Sequence, residues 1–195
     1  MAYNLIVIDN FYSNPEEIRE FALKQEFNVR GNYPGLRTVP FLADNLKEYI
    51  NSYIREHHGE IIWPSGEYHC CGSYQYTTAY DRTWIHSDGG DAWAGVWYGT
   101  PNAPISSGTG FFRHKETGLM KHPRNENGGT NEELLEYLYQ DDHDYTKWDK
   151  IMEVGNIFNR LVIYNGDYFH TSLDYFGRDK YDGRLFQTFF FNTHY

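Results

Sequence analysis

Trp84-Ile85-His86-Ser87-Asp88 sets an imidazole and a carboxylate two residues apart. In a strand, where side chains alternate, that spacing aims both at one face and offers two ligands to a metal ion. Spacing alone is a weak signal. Nine His and 27 acidic residues among 195 predict roughly one His-x-acid pair by chance, and His58-Glu60 and His114-Glu116 share the pattern. Context separates them. His58-Glu60 closes an amphipathic helical stretch, where a solvated charged end is expected, and His114-Glu116 follows GTGFF but then enters a polar stretch. His86-Asp88 alone follows a strand-like segment and precedes Gly89-Gly90, whose open turn would leave the ligands facing a cavity.

A third ligand would complete a two-His, one-carboxylate face, which leaves coordination positions on Fe(II) for substrate and O2. His170 is the leading candidate. It follows LVIYNGDYF, and Asn165-Gly166 is a strong hairpin signal that would put His170 on the returning strand. Arg184 opens the otherwise apolar run RLFQTFFF, where a guanidinium is expensive to bury unless it meets an anion, and two parallel N–H donors suit a carboxylate. Arg178 and Lys180 are nearby competitors for that role, but Arg184 alone begins a strand.

These residues need a scaffold. NLIVI at residues 4 to 8 reads as a strand. Ser13-Asn14-Pro15-Glu16-Glu17 carries the start signals of a helix through about residue 26. Leu46, Tyr49, Ile50, Tyr53 and Ile54 recur at helical spacing over residues 43 to 58. From residue 61 the period turns strand-like, in YHCCGSYQYTT, AWAGVWYGT, GTGFFRHKE, NRLVIYNGDYFHTS and RLFQTFFFN. The expectation is a mainly β protein with flanking helices, one domain over residues 1–195. Strand and bracing helices occupy 1–60. An antiparallel core fills 61–195, with a polar insertion at 117–155 in which Thr130-Asn131-Glu132-Glu133 offers a capping box and TKWDKIM a further helical turn or two.

The balance of 17 Lys and Arg against 27 Asp and Glu gives a net charge of −10. With no basic stripe, nucleic acid is not expected as a partner, and the charge favours a neutral or cationic substrate over a polyanion. No apolar run reaches the roughly 18 residues of a membrane span, and the N-terminus turns acidic too early for a signal peptide, so a soluble, cytoplasmic protein is expected. Cys70 and Cys71 are adjacent and form no disulfide framework.

The order strand, His-x-Asp, sheet, distal His, then Arg on the last strand resembles the double-stranded β-helix, the jelly-roll, cupin-like core of the Fe(II)/2-oxoglutarate-dependent dioxygenases, especially their prolyl-4-hydroxylase-like branch. DNFYSNPEEIREFAL, NYPGLRT, GTGFFRHKETGL and FNRLVIYNGDYFHTS are further similar to a group of such proteins from phages and marine bacteria. The resemblance implies that His86, Asp88 and His170 bind iron and that Arg184 grips the distal carboxylate of 2-oxoglutarate. It also implies that Tyr98, in VWYGTPN, assists Arg184, and that Tyr76, with Tyr74 as fallback, contacts the cosubstrate. The implied reaction consumes 2-oxoglutarate and O2, releases succinate and CO2, and hydroxylates a C–H bond of a peptidyl substrate, prolyl residues included, or of a small molecule. Two departures stand out: fourteen residues separate His170 from Arg184, and Phe186 stands where other branches place a Ser, with Thr188 as a substitute hydroxyl. Trp84, Trp93 and Trp97 either wall the pocket or fill the core. The rival readings are a non-enzymatic jelly-roll binding protein and a cupin-like metalloenzyme that does not use 2-oxoglutarate, for which His114 and Glu116 would be further ligands.

Overall fold

β1 (Leu5–Ile8) and α1 (Pro15–Leu23) precede β2 (Leu36–Pro40), and α2 (Asp44–His58) leads through β3 (Glu60–Ile62) into β4 (Ser73–Thr77). After β5 (Trp93–Tyr98) and β6 (Thr109–His114) come α3 (Glu132–Tyr139), β7 (Trp148–Val154), β8 (Leu161–Asn165), β9 (His170–Ser172) and the long β10 (Arg184–His194). The computed structural model describes residues 4–65, 70–89 and 93–194. Residues 68–69 of the expected YHCC strand, Gly90 of the glycine turn and Ala92 lie outside the described residues. No helix among the described residues is long and apolar enough to cross a membrane.

The strands form two antiparallel sheets. The larger runs β1-β8-β5-β10-β4-β2 with β3 beside β10, and the smaller runs β7-β6-β9. This is the expected mainly β architecture with flanking helices. Alternation along each strand sorts the side chains. Leu185, Phe189 and Phe191 of β10, Trp93 and Trp97 of β5 and Leu161 and Ile163 of β8 point outward to α1 and α2, where Ala22, Ile50 and Ile54 complete a buried core. The intervening Ala94, Val96, Tyr98, Val162, Tyr164 and Phe186 point inward and meet Phe111 of the smaller sheet. A third cluster, Ile85, Phe112, Leu138, Trp148 and Phe169, fixes α3 behind the smaller sheet.

The helices form where their signals stand. Pro15 with Glu16 and Glu17 opens α1, and Gly59, at φ 79°, terminates α2. Three expectations need correction. TKWDKIM is not helical beyond the short 3-10 turn Tyr145–Lys147: Trp148–Val154 pairs with β6, so the excursion from the sheet ends before residue 148 rather than at 155. The buried Trp148 and Val154 flank exposed residues, a pattern blurred because Ile151 bulges out of register between Met152↔Phe111 and Lys150↔Phe112. The cap of α3 is Asn131, whose side chain accepts from the Leu134 N–H at 3.2 Å, while the Thr130 hydroxyl bonds His122 instead. Finally, Asn165-Gly166 does not close a hairpin. β8 pairs with β5 and β1 in the larger sheet and β9 with β6 in the smaller, so this turn carries the chain from one sheet to the other.

Candidate metal centre and its cavity

That crossover brings His170 to His86. The two residues form an isolated antiparallel bridge, with His86 N–H donating to the His170 carbonyl at 3.0 Å and the reverse bond at 2.8 Å. Asp88 N–H donates to the Gly166 carbonyl at 2.8 Å, and Gly89, at φ 69°, turns the chain away directly after it. Backbone pairing alone therefore sets the three side chains on one spot, between the sheets. Their ligand atoms all lie within 4.8 Å of one another, the one such group of three found among the described residues.

Each imidazole is oriented by the main chain. His86 Nδ1 lies 3.1 Å from the Trp84 carbonyl and His170 Nδ1 lies 2.7 Å from that of Tyr168. A carbonyl oxygen can only accept, so Nδ1 carries the proton and Nε2 keeps its lone pair. Both Nε2 atoms face the Asp88 carboxylate, at 3.8 Å for His86 and 3.6 Å for His170. These separations are too long for hydrogen bonds and shorter than about 4.2 Å, the widest gap two donors can have when each is roughly 2.1 Å from one ion. Burial lowers the His170 pKa to about 4, against the pull of Asp88, so the ring is neutral and available as a ligand at pH 7. Two nitrogen donors and one carboxylate oxygen suit a divalent transition metal such as Fe(II).

Ser87, between His86 and Asp88, ties this segment to the excursion. Its hydroxyl is 2.9 Å from His122 Nδ1, and His122 Nε2 is 2.9 Å from the Thr130 hydroxyl. Tyr139 of α3 donates to the Ser87 carbonyl at 3.3 Å. The excursion thus braces the His86–Asp88 segment from behind, and of its described residues Tyr139 alone reaches the cavity mouth.

The inner part of the cavity runs from His86, Asp88 and His170 past Tyr164, Val96, Thr188 and Phe186 to Thr109. Against Phe186 of that lining packs Arg184, wholly buried. Its Nε donates to the Ser107 carbonyl at 2.9 Å and Nη2 to that of Gly108 at 3.4 Å, whereas Nη1 has no partner among the described residues. The guanidinium carbon sits 5.4 Å from the Tyr98 ring centroid and 4.4 Å from that of Phe186. A buried cation held by two carbonyls and an unused N–H is matched to an incoming carboxylate. Tyr98 hydroxyl lies 2.8 Å from the Thr109 hydroxyl beside it, and burial pushes the Tyr98 pKa up despite Arg184, so it remains a hydrogen-bond donor.

Arg178 and Lys180 do not compete. Arg178 pairs with Asp182 on the surface and Lys180 donates to the Leu23 carbonyl. Tyr76, expected at the cosubstrate, points away: it packs edge-on against Phe27 at 5.1 Å, on the helix-covered face, as does Tyr74. The cavity position on β4 is Gln75. Thr188 does line the cavity, with its hydroxyl near the Cys70 and Ser73 carbonyls. Trp93 and Trp97 are core, and Trp84 lines the outer mouth. His114 stands apart, with Nε2 3.1 Å from Asp141 and Nδ1 3.1 Å from Thr117. Tyr164, Arg37 and Gln75 are cavity residues that no motif or spacing in the sequence marks; Arg37 stands in NYPGLRT, one of the segments that carry the resemblance.

A family model described as "Family of unknown function (DUF6445)" matches residues 72–191, more than half of the chain. A comparison with curated proteins finds no sequence match. Among solved structures, HygX from Streptomyces hygroscopicus with nickel and 2-oxoglutarate bound superposes with a TM-score of 0.57 at 10% identity, covering 98% of this chain and 84% of that one. HygX with nickel, 2-oxoglutarate and hygromycin B gives 0.58 at 12% identity, with the same coverage. A Pseudomonas putida prolyl-4-hydroxylase, 13% identical over 99% of this chain and 94% of its own, has a TM-score of 0.42. The HygX likeness shows the fold, the double-stranded β-helix of the 2-oxoglutarate oxygenases.

Proposed function

We propose that this chain, which belongs to the DUF6445 family, is an Fe(II)- and 2-oxoglutarate-dependent dioxygenase that hydroxylates a C–H bond. One observation carries the reading: the potential ligand atoms of His86, Asp88 and His170 converge in a cavity, and against its wall residue Phe186 packs the buried Arg184, whose Nη1 has no partner among the described residues. The HygX structures, with nickel and 2-oxoglutarate in the same fold, support it.

His86 Nε2, His170 Nε2 and an Asp88 oxygen would hold the iron. When bound, the metal supplies the oxygen chemistry in which 2-oxoglutarate, O2 and R–H give succinate, CO2 and R–OH, one oxygen atom entering succinate and the other the new hydroxyl. The chain's share is binding and orientation. Arg184 anchors the distal carboxylate of the keto acid, with the Tyr98 and Thr109 hydroxyls beside it, and this fixes which end of the cosubstrate faces the ligand cluster. Tyr164, whose ring meets His170 at 4.7 Å and whose pKa burial raises well above the usual value, keeps its proton and walls the inner cavity. Val96 and Phe186 exclude water from the same space. A cupin-like enzyme with further ligands has less support, since both His114 nitrogens are engaged elsewhere. A pure binding module would have no use for a ligand cluster and a carboxylate clamp together.

The test is an anaerobic Fe(II) titration with and without 2-oxoglutarate, read by the weak visible charge-transfer band between the metal and the keto acid. The band is expected to require 2-oxoglutarate, vanish in His86→Ala and weaken in Arg184→Gln. A metal-loaded wild type that shows no band overturns the cosubstrate assignment.

A further inference from the structure

The cavity holds a second cation that the dioxygenase reading does not use. Arg37 of β2 pairs with Gln75 of β4 and lines both the inner cavity and a wider outer one of about 270 Å³, beside His86 and Asp88 in each. Its guanidinium is fixed on two sides. The Tyr33 ring lies against it, 3.7 Å from centroid to guanidinium carbon, and Nε donates to Gln75 Oε1 at 2.5 Å. Gln75 cannot turn away, because its Nε2 donates to the Pro34 carbonyl. Tyr33 is held in turn by its hydroxyl, which donates to the Val29 carbonyl at 3.1 Å, and Val29 is backbone-paired with Arg37. One face and Nε are thus occupied and the Cys70 thiol approaches the guanidinium closely enough to bond it, while among the described residues no oxygen acceptor takes the two Nη groups, which leaves donors for a ligand. Cys70 and Asp88 are the other polar groups near it, and no carboxylate of the described residues forms an ion pair with it.

We propose that Arg37 anchors the substrate: its Nη edge receives the carboxylate of a small, amino-acid-sized molecule and holds it in the outer cavity beside the ligand cluster. The inference rests on the dioxygenase reading and names the substrate class of that site. Arg184 already serves the cosubstrate at the far end, and Arg37 is the one Lys or Arg lining the outer cavity among the described residues. Charge selects the ligand. A divalent ion, the Asp88 carboxylate, a dianionic keto acid and Arg184 cancel, so Arg37 leaves one positive charge, which a single carboxylate neutralises and a phosphate dianion would overshoot. A planar two-oxygen anion also matches the paired Nη donors. The outer cavity is smaller than the roughly 300–1,000 Å³ of most ligand pockets, which suits a small molecule. The net charge of −10 acts at long range and is screened. At contact distance the fixed cation decides, and it reverses the preference for a neutral or cationic substrate that composition alone suggests.

The experiment uses the full chain loaded with Mn(II) and 2-oxoglutarate without oxygen. The probes are the proteinogenic L-amino acids, free and N-acetylated, each beside its carboxamide, with inorganic phosphate as a further arm and calorimetry as the readout. At least one carboxylate is expected to bind about 10- to 100-fold more tightly than its amide, the range of a charge-assisted hydrogen bond. That preference should disappear in Arg37→Gln and shrink in Arg37→Lys, which keeps the charge without the fork, while 2-oxoglutarate affinity stays within about twofold of wild type. Equal binding of acid and amide in the wild type, or no binding of any probe, overturns the anchor. Phosphate binding more tightly than every carboxylate overturns the carboxylate class. If Arg37→Gln weakens 2-oxoglutarate as much as Arg184→Gln does, Arg37 is a cosubstrate contact and the proposal fails. A wild type that binds a carboxylate through Arg37 but no 2-oxoglutarate overturns the dioxygenase reading and leaves the anchor standing. Normal 2-oxoglutarate binding without a carboxylate preference does the opposite.

Discussion

Neighbouring residues of β10 live in two different environments. Leu185, Phe189 and Phe191 face the helices, and Arg184, Phe186, Thr188 and Phe190 face the cavity or the space beside it. Both sets include deeply buried polar groups, so burial does not distinguish them. Hydrogen bonding does. On the helix face Gln187 accepts from the Tyr12 hydroxyl at 2.6 Å and donates to the Phe41 and Gly72 carbonyls, which satisfies the amide within the fold. On the cavity face Arg184 keeps an N–H, and Arg37 its Nη groups, without an oxygen acceptor among the described residues. A buried polar group that the fold itself satisfies is structural, and one with donors to spare is matched to something that arrives later.

The sharpest way to break that comparison is at the ligands. His86→Ala or Asp88→Ala should weaken Mn(II) or Ni(II) binding by more than the roughly 100-fold that loss of a ligand's supporting hydrogen bond costs. The melting temperature of the metal-free protein should hardly move, because no packed core is lost. Calorimetry and a thermal melt check the two halves. The helix face should show the reverse. Trp97, wholly buried and donating to Asn159 at 3.0 Å, should cost about 3–5 kcal/mol of stability on replacement by Ala, or roughly 6–20 °C in melting temperature. Metal affinity per folded molecule should be unchanged. A Trp97→Ala protein that stays folded but loses metal binding would mean that the two faces are not independent.

Why was the grouping of His86, Asp88 and His170 legible in the sequence while much of its setting was not? The two-residue spacing of His86 and Asp88 and the turn signal before His170 are local patterns, although the contact that joins them is the long-range bridge between His86 and His170. What the turn joins is not local. Asn165-Gly166 reports a change of direction, but whether the next strand pairs with the last depends on which partner offers the better interface, and here β6 and His86 win over β8. The same limit applies to β7, whose mixed burial and bulge leave no clean alternation over WDKIMEV. Arg37 was harder still. It sits on a five-residue edge strand that ends in Pro40, with a register break between Arg37 and Pro40, so neither periodicity nor propensity marks it.

Arg184 tests the spare-donor argument directly. Arg184→Gln should weaken 2-oxoglutarate binding by about 30-fold or more, since a buried charge pair that loses one partner typically costs at least 2 kcal/mol. Arg184→Met should weaken it as much, and yet leave the ligand-free protein as stable as wild type or more so, because an apolar side chain avoids the desolvation of a cation. Titration of 2-oxoglutarate and a ligand-free thermal melt give both numbers. A Met variant that melts well below wild type would show that Arg184 is held by the fold for its own sake, as Gln187 is.

Tyr76→Phe should do the least, and for that reason it examines the register. The substitution removes only a hydroxyl. On β4 the strand pairs Tyr76 with Leu185 and Leu36, and Leu185 belongs to the helix face. The affinity for 2-oxoglutarate should therefore stay within about twofold, and stability within roughly 0.5 kcal/mol. Gln75→Leu, one residue away, should instead release Arg37 Nε and change binding in the outer cavity without touching the helix-side core. A tenfold loss of 2-oxoglutarate affinity in Tyr76→Phe would require β4 to be shifted by one residue against β10. Such a slip moves every side chain of the strand to the opposite face, and it would exchange Gln75 for Tyr76 as the neighbour of Arg37.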